Sequence, residues 1–466
     1  MSWHLTIYSF YDNIKGDLKY AGLLIFCTLL SLVLRRFATA EFRVRFDGII
    51  GLLINIYVSG WTVLYSLLCV AAHLVLYQLV KDPRHMAKIS FFGTFTYLGF
   101  LRIIHWFGLP KLEFITNAIQ LIMTLRVVGL SYEISDSRLK LVDDLKKVED
   151  PSPFQAFNYL YSYTGLFTGP YYTYRTYVDA YDQRFHAQSP HVLDLVKGRL
   201  TTLSWSLPIL ILMNIIAPVQ ILKTEESGDY NIIVLFILSA LLFVYLRMRI
   251  YSAWMVAESI CIISGIGVYD HSYHSKPGLG PTKMPEIGET AHGFDANTVD
   301  NLDIPHVENS DGFRSGMRAW NRTVQFWLAH FVYKRAPRSI RLPWTMFVSA
   351  FWHGVHPGYF LSFLTIPLCT AAEDVMFKRF PVEDGKRNEI FDRVWRFIRM
   401  RGFEMMACGF LLLTWTDTIR LWKNQFFYLH VIMIGILIFD KVHPRKHPEK
   451  HHEGHKHHEH HDKKVE

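Results

Sequence analysis

Apolar runs long enough, or nearly long enough, to cross a lipid bilayer recur along most of this chain, and they limit what it can fold into. They cover Leu18–Leu34, Ile49–Gly60, Trp61–Val80, Ile89–Phe107 and Leu112–Tyr132. Three more follow at Thr201–Leu222, Asn231–Leu246 and Ile250–Val268, and three at Phe360–Phe377, Met405–Leu421 and Phe426–Phe439. A membrane-crossing helix needs about 20 predominantly apolar residues. Several runs fall short of that, as expected of re-entrant or half-spanning helices packed around a cavity. The predicted fold is an all-α polytopic membrane protein, with about eleven transmembrane helices plus short re-entrant helices around a chamber. Residues 1–442 form this membrane-embedded unit.

The chain is 50% hydrophobic and only 19% charged, against about 25% charged in soluble domains. Its net charge of +8 has no accompanying basic helix or nucleic-acid motif, which excludes nucleic acid as a partner. Basic residues at the ends of spans, such as Arg35, Arg36, Arg43 and Arg45, instead fit headgroups and a cytosolic side. Five cysteines (Cys27, Cys69, Cys261, Cys369, Cys408) lie scattered in apolar runs without a CxxC pair. They form neither a disulfide framework nor a zinc site.

Polar sequence between the runs has three distinct characters. Residues 154–177 hold seven tyrosines around Thr168-Gly169-Pro170, with Arg175 beyond. This reads as an interfacial aromatic belt, or else as a wall facing a headgroup, with Tyr171, Tyr172 and Arg175 as its polar contacts. Residues 270–314 form an acidic, proline-rich loop expected on a membrane surface. Residues 443–466 are rich in histidine and lysine and are expected to be a disordered cytosolic tail. Its last residues, Lys463-Lys464-Val465-Glu466, resemble an endoplasmic-reticulum retrieval signal. With the arginine cluster after the first span, this predicts a lumenal N-terminus and a cytosolic C-terminus.

Polar or ionisable groups inside apolar sequence are costly and therefore mark candidate sites. Glu258 is one, expected to be protonated or to find a partner, with Arg247 and Arg249 as candidates. Asn321 and His353 are the others. Asn321 opens the apolar stretch Arg-Thr-Val-Gln-Phe-Trp-Leu-Ala, and His353 closes Ser-Ala-Phe-Trp-His. Gly354, Pro357 and Gly358 follow, so the helix should end at His353 or just after it. A neutral imidazole there can act as general base, and an amide can donate and accept at once. The competing assignment is structural: an asparagine and a hydrogen-bonded histidine between packed helices. His330 and His356 are rival bases, and His353 with His356 lack a third ligand for a metal. No nucleophile elbow, P-loop or dinucleotide fingerprint occurs.

These motifs carry a resemblance. Met-Arg-Ala-Trp-Asn321-Arg-Thr-Val, followed by Trp-His353-Gly-Val-His-Pro-Gly-Tyr, resembles the membrane-bound O-acyltransferase family, which pairs a buried histidine with an upstream asparagine or aspartate. Segments 161–177, 247–254 and 359–369 are similar to its lysophosphatidylinositol acyltransferase branch. The resemblance implies that fold, and transfer of a polyunsaturated, arachidonoyl-like chain from acyl-CoA to the sn-2 hydroxyl of lysophosphatidylinositol. It implies His353 and Asn321 as catalytic residues, acyl-CoA as a co-substrate, and no cofactor or metal. Lys334, Arg335, Arg338 and Arg341 are candidates for the CoA phosphates, or equally for anchoring at the membrane surface; Arg247 and Arg249 are further substrate contacts. Alternatives are another acceptor (lysophosphatidylcholine, lysophosphatidylserine or a protein), a proton-relay transporter, and a non-enzymatic membrane protein. A transporter would usually show matched halves, and no such repeat is found.

Overall fold

A computed structural model describes residues 3–182, 192–284, 293–383 and 385–444, with side chains from residue 14 onward. The histidine-rich tail beyond residue 444, including Lys463-Lys464-Val465-Glu466, and residues 285–292 of the acidic loop lie outside the described residues.

The chain is an all-α polytopic membrane protein. Its first four helices follow one another through short turns, and a longer connection over residues 104–113 leads to the fifth: α1 (Trp3–Phe37), α2 (Ala40–Ser59), α3 (Val63–Leu79), α4 (Pro83–Ile103) and α5 (Phe114–Arg138). The short α6 (Pro153–Tyr161) and α7 (Tyr174–Asp179) come next, then α8 (Val192–Ile216), α9 (Pro218–Lys223) and α10 (Ile232–Ser264). The acidic segment contains two-residue strands β1 (Tyr269–Asp270) and β2 (Phe294–Asp295), paired antiparallel, then α11 (Ile304–Asn309) and α12 (Phe313–Ala319). Finally come α13 (Arg322–Phe331), α14 (Arg341–His353), α15 (Pro357–Arg379), α16 (Glu389–Leu412), α17 (Trp415–Asn424) and α18 (Tyr428–Val442).

Among the described residues, six stretches are long and apolar enough to cross a bilayer: Ile14–Phe37, Ala40–Leu79, Phe114–Arg138, Val192–Lys223, Ile232–Ser264 and Pro357–Arg379. α17 and α18, bent by 67° at their junction, make a seventh if taken together. α4 and α16, with 21 and 24 residues, have the length of a span, about 30 Å or more at 1.5 Å per residue, but more charge.

α5 is the centre of the molecule. In its apolar window 72% of residues are buried, against 22–39% in the other five stretches, so protein surrounds it where lipid meets the rest. Arg126, fully buried on α5, explains the tyrosine-rich segment. Its guanidinium donates to the carbonyls of Tyr159 (3.1 Å), Leu160 (3.2 Å), Ser162 (2.8 Å) and Thr164, and to the Tyr172 hydroxyl (2.9 Å). Without water, a buried charge needs such partners. The aromatic-belt expectation is therefore corrected: Tyr159, Tyr161, Tyr171 and Tyr172 have no exposed surface, and the Tyr159 and Tyr172 rings pack on the arginine inside the protein. At the end of α10, Arg35 and Arg43 donate to the carbonyls of Ile263 and Ser264, where a helix leaves carbonyls unpaired.

The acidic segment is more than a surface loop. Thr298 and Asn301 are buried. The Asn301 amide donates to Glu258 (2.9 Å), and Glu258 accepts from Arg199 (3.1 Å). The expected partners of Glu258 are thus replaced by a residue 59 positions away. Arg247 pairs with Glu308 instead, and Arg249 with Asp17 (2.5 Å).

Candidate active site

The site is built where α12 gives way to α13 and where α14 stops. Asn321 occupies the junction with φ +50° and ψ +50°, the left-handed region that asparagine tolerates better than most residues. Its carbonyl accepts from the Gln325 amide (2.8 Å), starting α13. Its side chain makes no capping bond. The next two residues tie this corner down. The Arg322 amide donates to the Asn301 carbonyl (2.9 Å) and its guanidinium pairs with Asp300 (2.6 Å). The Thr323 hydroxyl donates to the Asn301 side chain and accepts from the Tyr171 amide (3.1 Å). A polar chain thus runs from Arg199 through Glu258, Asn301 and Thr323 to Tyr171, fixing the backbone beside Asn321.

His353 is the last residue of α14, where Gly354 and Pro357 predicted the stop. Gly354 is extended, His356 adopts a β conformation, and Pro357 opens α15. Four aromatic rings hold the imidazole: Trp352 (4.7 Å between centroids), Phe410 (5.0 Å), Phe363 (5.2 Å, stacked) and Tyr359 (5.8 Å). Trp352 is itself anchored, its indole donating to the Leu121 carbonyl (3.0 Å) while its own carbonyl accepts from Arg102 (3.1 Å). Neither ring nitrogen of His353 has a hydrogen-bond partner among the described residues.

Asn321 and His353 line the same cavity, of about 170 Å³. Its walls are apolar: Phe243 and Ile250 from α10, Trp320 from the α12–α13 junction, Ile366 from α15, and Phe403 and Met406 from α16. Ser362 also lines it, but its hydroxyl is held by the carbonyls of Gly358 (2.8 Å) and Met406 (2.7 Å). That leaves an amide and an imidazole facing a largely apolar space. Such a pair can take a proton from a hydroxyl and polarise a carbonyl.

The rival bases lie elsewhere. His330 donates from Nδ1 to the Phe326 carbonyl (3.1 Å) and accepts at Nε2 from Lys334 Nζ (3.2 Å), packs on the Phe326 ring, and is absent from the cavity wall. His356 is exposed at the turn.

The other expected substrate contacts are not brought to this cavity. Tyr171 and Tyr172 are buried around α5. Arg175 pairs with Asp179 (2.7 Å) and donates to the Lys147 carbonyl; burial pushes the Asp179 carboxyl up to about 6 despite that arginine. Arg247 and Arg249 are held by the carboxylates already named. Lys334 meets His330, Arg335 pairs with Asp136 (2.6 Å) over the Tyr132 ring, and Arg341 donates to the Ala336 carbonyl (3.0 Å). Arg338 is exposed. The guanidinium groups of Arg175, Arg247, Arg249, Arg335 and Arg341 find acceptors that folding supplies, which a sequence-adjacent reading does not reveal. Conversely, sequence reasoning missed Phe410, Trp320 and Asn301, because their roles depend on contacts between distant segments.

The sequence profile of the membrane-bound O-acyltransferase family matches residues 49–415. Membrane-bound acylglycerophosphatidylinositol O-acyltransferases are similar over nearly the whole length. That of Caenorhabditis elegans is 38% identical over 439 residues, covering 91% of this chain and 95% of the relative. The Danio rerio protein is 37% identical over 83% and 85%, and the Homo sapiens protein 34% identical over 83% and 86%.

Proposed function

The chain belongs to the membrane-bound O-acyltransferase family, and we propose from that premise that it is a lysophosphatidylinositol acyltransferase whose base is His353. The observation that carries the catalytic assignment is that Asn321 and His353, thirty-two positions apart in sequence, line one apolar cavity. The acceptor comes from the relatives, named as acylglycerophosphatidylinositol O-acyltransferases.

The reaction balances with acyl-CoA as donor. A ring nitrogen of His353 takes the proton from the free glycerol hydroxyl of the lysolipid. The oxygen attacks the thioester carbonyl, forming the ester C–O bond as the C–S bond breaks, and the CoA thiolate leaves and recovers the proton from the imidazolium. The Asn321 amide donates to the carbonyl oxygen as charge builds there. The low water content of an apolar cavity favours the lipid hydroxyl over hydrolysis. A polyunsaturated, arachidonoyl-like chain is the proposed acyl group.

Purified protein given arachidonoyl-CoA and a panel of lysophospholipids tests this. Product should form from lysophosphatidylinositol, and His353→Ala should lower turnover by about 10²–10⁴-fold. Equal use of lysophosphatidylcholine or lysophosphatidylserine would reject the headgroup, and a fully active His353→Ala would reject the base.

The proposed location is the endoplasmic reticulum membrane, with the N-terminus lumenal and the C-terminus cytosolic. The dilysine motif and the arginines following the first span support it. In sealed microsomes, added protease should remove a C-terminal tag; a protected tag would reverse the orientation.

A further inference from the structure

A second recess, of about 530 Å³, lies apart from the His353 cavity and shares no residue with it. It is formed by the start of α4, the end of α5 and the bend between α13 and α14. Its floor is aromatic, from Phe91, Tyr132, Phe331 and Trp344. Arg84, Lys88 and Arg335 line it, with Asp136 as its carboxylate.

Asp136 is taken by Arg335 (2.6 Å). Arg84 and Lys88 are exposed, four residues apart on one face of α4, and neither has an ion-pair partner among the described residues. Both lie in the first two turns of that helix, where the helix dipole disfavours cations and favours an anion. The Asp82 cap is directed to the His85 amide and ring; the Arg84 charge attracts it, but no ion pair forms with Arg84 or Lys88. The recess therefore carries two positive charges without an ion-pair partner among the described residues, over an aromatic floor. Its rim continues into exposed apolar side chains, Phe92 (59% exposed), Leu141 (64%) and Ile340 (48%), which suit an acyl chain and are poor contacts for a soluble nucleotide. Neither the proposed reaction nor the packing of the helices makes use of Arg84 and Lys88.

We propose that this recess binds an anionic phospholipid, its phosphate between Arg84 and Lys88 and its acyl chain along the aromatic floor and apolar rim. The site is peripheral to the reaction and holds lipid whether or not the acyl-transfer assignment is correct.

Native mass spectrometry after reconstitution in nanodiscs of equimolar phosphatidylcholine and phosphatidylserine tests it. Wild-type protein should retain phosphatidylserine on detergent release. Arg84→Glu/Lys88→Glu should lower that retention about tenfold, and Arg84→Ala/Lys88→Ala by less, both variants eluting as monodisperse protein with acyl transfer unchanged. Equal retention by wild type and both variants would overturn the proposal. So would displacement of the lipid by excess coenzyme A, which would give the recess to a nucleotide, or loss of acyl transfer with lipid retention intact, which would give it to the reaction.

Discussion

At Asn321 the backbone sits at φ +50°, a conformation that costs most residues about 1–2 kcal/mol, while the side chain lines the cavity shared with His353. Backbone and amide can be separated by substitution. Asn321→Gly keeps the left-handed corner without strain, whereas Asn321→Ala removes the amide and strains the corner too. If the amide acts on the reacting carbonyl, both variants should lose turnover by about 10²–10³-fold, and only the alanine variant should also unfold at lower temperature. Turnover and thermal unfolding of the pair decide it; a glycine variant as active as wild type would leave Asn321 a purely conformational role. His353 differs in kind. Its position follows from a helix stop written locally in Gly354 and Pro357, and its orientation comes from rings on three helices.

Among the elements, α15 and α16 set the shape of the aromatic box, and they meet at a point with no room for a side chain. A Cβ added to Gly358 would lie 2.1 Å from the Gly409 carbonyl oxygen, and the Gly358 amide donates to the Leu413 carbonyl (2.9 Å). From sequence, Gly358 reads as a turn residue. The structure places it inside the first turn of α15, where its value is close backbone approach. Gly358→Ala should force the helices apart, costing about 1–3 kcal/mol, and should lower turnover because Tyr359, Phe363 and Phe410 move with them. Unchanged unfolding temperature and turnover would mean that this contact is looser than described. α5 illustrates the opposite principle: a span whose own composition is apolar, held at the centre by one charge. Arg126 stands within an apolar run of the sequence, but its five acceptors lie 33 to 46 positions away.

For the whole molecule, the class of fold was legible because long apolar runs leave few alternatives to membrane-crossing helices. The helix start after Asn321 and the helix stop at His353 were legible because proline, glycine and an isolated amide act through local chemistry. Ion pairing was not. Glu258 lies within eleven residues of both Arg247 and Arg249, yet pairs with Arg199 because α8 and α10 run antiparallel side by side; the tyrosines of 159–172 resembled a surface belt because nothing in their own composition reveals Arg126. That pairing of Arg199 with Glu258 also bears on biogenesis. α8 and α10 are successive spans, with Arg199 near the beginning of one and Glu258 near the end of the other, so the two charges arrive at the same depth. A nascent chain inserting α8 alone would carry a bare guanidinium toward lipid, and α10 alone a bare carboxylate, each opposed by the bilayer. Inserted together as one hairpin, they neutralise each other on the way in.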